Sequence, residues 1–166
     1  MIEVIPNWHP IFVHFTIALF STSMGFYMLA YFMTCVKSTQ CHLAIEFEIV
    51  ARWCLWMTAL VTLGTLGAGL YAYNTVHHDE ISHIAMTNHR NLALITVSGI
   101  WLVTAWSIWR YYKQKALTWT FILLLFIVQG LLLSTGWRGG ELVYRYGLGV
   151  ISLPAAKDMG HHKMMK

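Results

Sequence analysis

The sequence predicts an all-α integral membrane protein, built as a four-helix up-down bundle with a short interfacial C-terminal segment. Its 166 residues are 57% hydrophobic and only 11% charged, whereas about a quarter of the residues in a soluble domain are charged. Charged residues are also missing from four long windows, and each window is long enough for a helix that crosses a bilayer, which needs roughly 20 residues. The windows are Val4–Val36, Trp53–His78, Asn91–Trp109 and Ala116–Trp137.

We expect four helices over about residues 10–35, 50–73, 89–111 and 116–135 of a single transmembrane domain, residues 1–166. The first should begin at Pro10, because proline is favoured at the first helical position, where its missing N–H costs nothing. Small residues in the second half of helix 2 let a neighbouring helix or a flat cofactor approach the backbone. They are Gly64, Gly67, Ala68 and Gly69.

The glycine-rich run Gly136–Glu141 predicts a break at the end of the fourth helix. The apolar stretch 142–151 that follows is too short to cross a bilayer, so we expect an interfacial or re-entrant segment. A polar tail closes the chain. Residues 136–166 are therefore predicted to lie outside the four spanning segments.

Most of the histidines are predicted to lie on one face of the membrane. An even number of helices places both termini on the same side, together with the start of helix 3 and the end of helix 2. Eight of the nine histidines, all except His42, then share that side. Arg90, Arg138 and Glu141 lie on it as well. This asymmetry is the strongest functional signal in the sequence.

The basic residues that border the other face predict the orientation. The positive-inside rule weights short loops and charges next to the membrane, and it favours a histidine face outside the cell. We therefore expect a multi-pass protein of a bacterial inner membrane, with both termini in the periplasm. The lipid bilayer is the expected partner, and no basic stripe with interleaved aromatics suggests nucleic acid. The bordering cations are Lys37, Arg52, Arg110, Lys113 and Lys115.

Histidines near the outer ends of helices 1 and 3 are candidates for cofactor binding, since histidine inside a membrane segment is expensive and usually functional. His14 and His89 lie on diagonal helices of such a bundle, about 11–14 Å apart by axis. They are predicted to hold a haem b from both faces, with Arg90 and Arg138 as propionate partners and Glu141 beside them. A bis-histidine haem suits electron transfer, and favours an electron-transfer subunit over a stand-alone enzyme.

Other ligands and other functions stay open at this point. His9 and His83 are alternative ligands, although His9 and His14 are about 140° apart around an ideal helix. Copper or zinc bound by His9, His83 and His89 is an alternative to haem, and the tail, residues 160–166, resembles soft-metal-binding tracts. A further alternative is a structural subunit of a membrane complex without a cofactor, in which the histidines are packing residues.

Three segments form motifs: His9-Pro10-x-x-Val13-His14-Phe15-x-Ile17-Ala18-Leu19, His89-Arg90-x-Leu92-Ala93, and Gly139-Gly140-Glu141-Leu142-Val143-Tyr144-x-x-Gly147-x-Gly149-Val150. Together they resemble the bacterial inner-membrane family called domain of unknown function 2231. The resemblance implies four transmembrane helices and a link to cytochrome or respiratory modules, with other membrane or periplasmic redox subunits, or quinone, as partners. It also marks His9, His14, His89, Gly139, Gly140 and Glu141. Tyr146 departs from the family, where we expect a histidine in many members.

Overall fold

The structure is a computed structural model that describes residues 8–36, 42–76 and 79–149. Four helices make up almost all of this part of the chain: α1 (His9–Val36), α2 (His42–Thr75), α3 (Glu80–Tyr112) and α4 (Trp119–Tyr144). All four are long and apolar enough to cross a membrane. The prediction of an all-α membrane bundle is therefore confirmed.

Each helix packs against two neighbours in the order of an up-down bundle. α1 contacts α2 and α4, and α3 contacts the same two helices from the other side. Within the described ranges, the backbones of α1 and α3 do not approach each other closely, and neither do those of α2 and α4. The pairs α1–α3 and α2–α4 are thus the two diagonals, and helices on one diagonal run in the same direction.

The second and third helices begin earlier along the chain than their apolar windows suggest. α2 begins at His42 instead of about residue 50, and α3 begins at Glu80 instead of about residue 89. The start of α3 is fixed by a capping box, in which the Asp79 carboxylate accepts a hydrogen bond from the Ser82 N–H and the Ser82 hydroxyl bonds the Asp79 backbone. The residues added by these earlier starts include Glu46 and Glu48 in α2 and Glu80 in α3.

The fourth helix continues through the glycine-rich run where we expected a break. α4 ends at Tyr144, and none of Gly136, Gly139 and Gly140 has a positive φ angle. A helical glycine destabilises by only about 1 kcal/mol relative to alanine, which packing against α3 can offset. Beyond Tyr144 the chain turns at Gly147, whose φ of 64° lies in the left-handed region. The Gly147 N–H donates to the Val143 carbonyl oxygen, as in the αL capping motif, and the Leu148 N–H donates to the Leu142 carbonyl oxygen. The predicted interfacial segment is therefore partly helical.

Several of the predictions concern residues outside the described ranges. These are the His77-His78 pair, the histidine- and methionine-containing tail 160–166, and the last residues of the expected interfacial segment.

The centre of the bundle is a tightly packed layer of large side chains and hydroxyl groups. Tyr27 and Phe121 pack edge to face with ring centres 5.2 Å apart, and both are almost completely buried. The Tyr27 hydroxyl bonds the Ser107 hydroxyl at 3.0 Å, and Ser23 donates to the Ala51 carbonyl oxygen at 2.7 Å. A bilayer offers no water to these groups, so each must find its partner inside the bundle.

A buried arginine fastens three helices at the end opposite to the predicted histidine face. Arg110, only 4% exposed, lies 3.0 Å from the Glu48 carboxylate on α2. Its guanidinium also donates to the Lys115 and Ala116 carbonyl oxygens ahead of α4. This single side chain therefore links the end of α3 to the starts of α2 and α4.

Replacement of Arg110 by methionine should lower the free energy of unfolding by about 1–3 kcal/mol, because it leaves Glu48 and two carbonyls without their donor. The matched control is Arg145→Met, which removes an exposed pair with Glu141 and should change stability by no more than about 0.5 kcal/mol. Unfolding in detergent measures both. Equal effects of the two variants would contradict this role for Arg110.

Candidate paired-histidine site

The rings of His9 and His89 meet across a diagonal of the bundle. Their centres are 6.2 Å apart and their planes are inclined by 82°. The two histidines lie on α1 and α3, whose backbones are not in contact. The side chains therefore span the space between the diagonal helices, at the end of the bundle that the sequence predicts to be rich in histidine.

One nitrogen of the His9 ring is tied to the neighbouring helix. Nδ1 lies 2.9 Å from the carbonyl oxygen of Thr65 on α2. A carbonyl oxygen can only accept, so Nδ1 carries the proton and the lone pair of the neutral ring lies on Nε2. A backbone carbonyl that fixes the tautomer in this way is typical of histidines that bind a metal through the other nitrogen.

The His89 ring has a similar place against α4. The Thr135 backbone carbonyl lies beside this ring, although Nδ1 is buried and makes no hydrogen bond to any of the described residues. The two threonines are themselves braced by hydroxyl pairs at 2.8 Å, Thr16 with Thr65 and Thr96 with Thr135. Each histidine-bearing helix is thus joined to its neighbour about two helical turns beyond its histidine.

A glycine on the neighbouring helix makes room for each imidazole. A Cβ atom at Gly69 would lie 2.9 Å from His9 Cε1, and one at Gly139 would lie 3.2 Å from His89 Cε1. Contacts this short force the ring to move. Both rings therefore lie directly on glycine backbone, and any larger residue at these two positions would push them toward each other or out of the bundle.

The paired rings form part of the wall of a cavity of 680 Å³ between the helices. Most of its lining is aliphatic or aromatic, with contributions from all four helices. Its size falls in the range of about 300–1,000 Å³ that is usual for ligand and cofactor sites. The cavity is therefore large enough for a cofactor in contact with both imidazoles.

His14, the other ligand predicted on α1, does not face His89. Its ring is exposed at the edge of the cavity, and Nδ1 bonds the Pro10 carbonyl oxygen at 2.5 Å. His9 and His14 point to different sides of α1, as their spacing predicts, and it is His9 that points inward. The helix begins at His9 instead of after it, so this side chain has a helical direction.

The remaining predicted residues on α3 surround Tyr73 of α2. The Arg90 guanidinium lies 4.6 Å above the Tyr73 ring, and the Tyr73 hydroxyl bonds Thr87 at 3.0 Å. His83 is exposed and packs beside the same ring, with centres 5.8 Å apart. Arg90 also lines the cavity, whereas His83 lies nearly two helical turns before His89 on α3.

Arg138 and Glu141 open onto a second, smaller cavity. Its volume is 260 Å³, and it lies between the start of α3 and the end of α4. Glu141 is paired with Arg145 at 2.6 Å. Tyr146 also lines this cavity. These residues are near the paired histidines but belong to a separate space.

The sequence did not indicate the threonines that hold the imidazoles. Thr65 and Gly69 on α2 have the same spacing as Thr135 and Gly139 on α4, and this repeat was the available signal. Among the described residues, no three or more His, Cys, Asp and Glu side chains come together as a metal site. The protein part of the site is therefore two imidazoles that lie against glycine backbone, and His9 also bonds a backbone carbonyl.

The fold and the site define a multi-pass, all-α membrane protein with a pair of histidines facing a cofactor-sized cavity. The family described as "Predicted membrane protein (DUF2231)" matches residues 6–152. The chain belongs to this family, as the motifs around His9, His89 and Gly139 indicated. No curated protein and no solved structure gave a significant match.

A methyl group at Gly69 should destabilise the protein by about 1–3 kcal/mol, because it overlaps the His9 ring. Gly67→Ala is the matched control on the same helix, since nothing lies within 4 Å of its Cβ position. It should be neutral or should stabilise α2 by up to about 1 kcal/mol. Unfolding in detergent provides the comparison. Equal stability of the two variants would contradict the close packing of the His9 ring on Gly69.

Proposed function

We propose that the protein binds one haem b with His9 and His89 as axial ligands, and that it transfers electrons. The observation that carries this is the distance between the two rings. A metal–nitrogen bond is about 2.0–2.1 Å long and an imidazole centre lies about 1.1 Å behind its nitrogen, so two imidazoles on opposite sides of one ion have centres about 6.3 Å apart. The rings in this protein have centres 6.2 Å apart.

The tautomer of His9 supports the same assignment. With Nδ1–H donated to Thr65, the Nε2 lone pair is left for a metal. His89 lies against Gly139 with its Nδ1 buried. The chain thus fixes the position of both rings before any ligand enters.

A ligand set of two histidines suits haem better than zinc or copper. The porphyrin supplies four nitrogens to the iron, so the protein needs to add only two. A structural zinc site is usually closed by four protein ligands. A cavity of 680 Å³ next to two imidazoles is also larger than a bare ion requires. Copper or zinc binding remains an alternative that elemental analysis distinguishes.

When bound, a bis-histidine haem offers a one-electron couple and no open coordination position, which suits electron transfer. The largely apolar walls of the cavity would give this centre surroundings of low polarity. A redox subunit at the membrane surface, or a quinone in the bilayer, would then exchange electrons with it. A cofactor-free structural subunit is the competing function, in which the two rings would only pack against each other.

We further propose that the protein lies in a bacterial inner membrane with the paired histidines near the periplasmic face. The support is the distribution of charge. Arg110, Lys113 and Lys115 lie at the other end of the bundle, at and just after the end of α3. Cytoplasmic loops carry the excess of basic residues in most membrane proteins.

The purified protein, reconstituted with haem b, should show the absorption spectrum of a six-coordinate, low-spin haem. Replacement of either His9 or His89 by alanine should abolish it, because each variant lacks one axial ligand, and added imidazole should restore it. His14→Ala is the matched control and should keep the spectrum of the parent protein. Absorption spectroscopy with a pyridine haemochrome assay measures this.

Two results would overturn the haem assignment. One is a wild-type protein that shows no Soret band after reconstitution. The other is a low-spin spectrum that survives in the His9→Ala variant but is lost in His14→Ala, which would make His14 the ligand. Stoichiometric zinc or copper in the purified protein, without iron, would favour the metal alternative.

The inclination of the two rings predicts a second spectroscopic property. Imidazole planes that are nearly perpendicular, as the angle of 82° indicates, leave two iron d orbitals almost equal in energy. The oxidised protein should therefore give the large-g, strongly anisotropic EPR signal of perpendicular ligands. A rhombic spectrum, typical of parallel imidazole planes, would contradict the ring geometry.

A further inference from the structure

The two halves of the bundle repeat the same pattern of buried positions. Five buried residues of α1 each have a buried residue 80 positions later in the chain, in α3. Five buried residues of α2 each have a buried residue 70 positions later, in α4. The α1–α3 pairs are Thr16 and Thr96, Phe20 and Ile100, Ser23 and Val103, Tyr27 and Ser107, and Ala30 and Arg110. The α2–α4 pairs are Ala51 and Phe121, Leu55 and Leu125, Thr58 and Val128, Ala59 and Gln129, and Thr62 and Leu132.

The contacts of the paired-histidine site follow the same two offsets. His9 corresponds to His89, and the hydroxyl pair of Thr16 and Thr65 corresponds to that of Thr96 and Thr135, each at 2.8 Å. The glycine that receives each ring, Gly69 or Gly139, also corresponds. The hairpins α1–α2 and α3–α4 are therefore structurally equivalent halves.

Equivalent residues touch each other in the middle of the bundle. His9 contacts His89, and Tyr27 bonds Ser107 at 3.0 Å. Residues that meet their own counterparts lie on a two-fold axis. Since α1 and α3 run in the same direction, this approximate axis runs along the bundle. The histidine pair lies on it, so the cavity offers an equivalent histidine to each face of its ligand.

The equivalence fails at the residue next to each histidine. Pro10 follows His9, whereas Arg90 follows His89, and both line the cavity. Of the described residues in the cavity wall, Arg90 is the only one with a permanent charge. Its polar contact is with the Asn91 side-chain oxygen at 3.2 Å, and no described carboxylate pairs with it. A charged side chain at the edge of a membrane cavity is usually paired with a group of opposite charge.

We infer that the ligand of this cavity has one acidic edge and that this edge lies at Arg90. The inference depends on the proposed function. It assigns the two propionates of haem to the side of the site that carries Arg90, where the other half of the bundle has Pro10. A ligand without carboxylates would leave Arg90 with the Asn91 side chain and the Tyr73 ring as its partners and with no anion. Arg90 is then the residue that selects a carboxylate-bearing macrocycle and fixes which edge faces outward.

The test compares the affinity for haem b with that for its dimethyl ester, in which both carboxylates are masked. Wild-type protein should prefer the free acid by about tenfold or more, the range of a charged hydrogen bond. Arg90→Gln should lose this preference and keep the low-spin spectrum, because both imidazoles remain. Arg90→Lys should keep part of it. Arg138→Gln is the control, since Arg138 lines the smaller cavity, and it should keep the full preference.

The result separates this inference from the proposed function. Equal binding of acid and ester by the wild type, or an unchanged preference in Arg90→Gln, would overturn the role of Arg90 and leave haem binding intact. Loss of the preference in Arg138→Gln instead would move the carboxylates to the smaller cavity. A wild-type protein that binds neither compound would overturn both proposals.

Discussion

Each histidine of the pair reaches the centre of the bundle only because the neighbouring helix presents a glycine to it. Gly69 and Gly139 let the rings lie on bare backbone, where His9 also finds a carbonyl acceptor. A larger side chain at either glycine would occupy the place of the imidazole, and the two rings could then no longer meet between the diagonal helices. The cavity, the inclination of the rings and the proposed iron centre all depend on this close approach.

The bilayer explains why hydroxyl groups hold the rest of the site together. Lipid offers no hydrogen-bond partner, so the threonines beside the histidines pair with each other across the helix contacts. Further along the axis the same solution recurs, in Ser23 with the Ala51 carbonyl and Tyr27 with Ser107. At the far end of the bundle, Arg110 donates hydrogen bonds to a carboxylate and to two carbonyl oxygens. The interior is thus specified by polar pairs inside a shell of apolar side chains that face lipid.

The two hairpins contribute the same kinds of residue to the site. One arrangement of histidine, threonine and glycine, used twice around an axis, provides both faces of a site for a flat ligand. The single departure that introduces charge into the cavity wall, Arg90 in place of Pro10, then gives this otherwise symmetric site a direction. In the proposed haem site, this direction would hold the ligand with its polar edge toward water.

The sequence by itself determined the number of helices and their membrane-spanning character, because these follow from the positions of charged residues along the chain. The spacing of His9 and His14 also predicted that they would not share a face. It could not decide which of the two points inward. That depends on where α1 begins and how it is rotated against α2, which packing at Gly69 and Thr65 settles. In the same way, the extension of α4 to Tyr144 depends on tertiary contacts that outweigh the weak helix propensity of glycine.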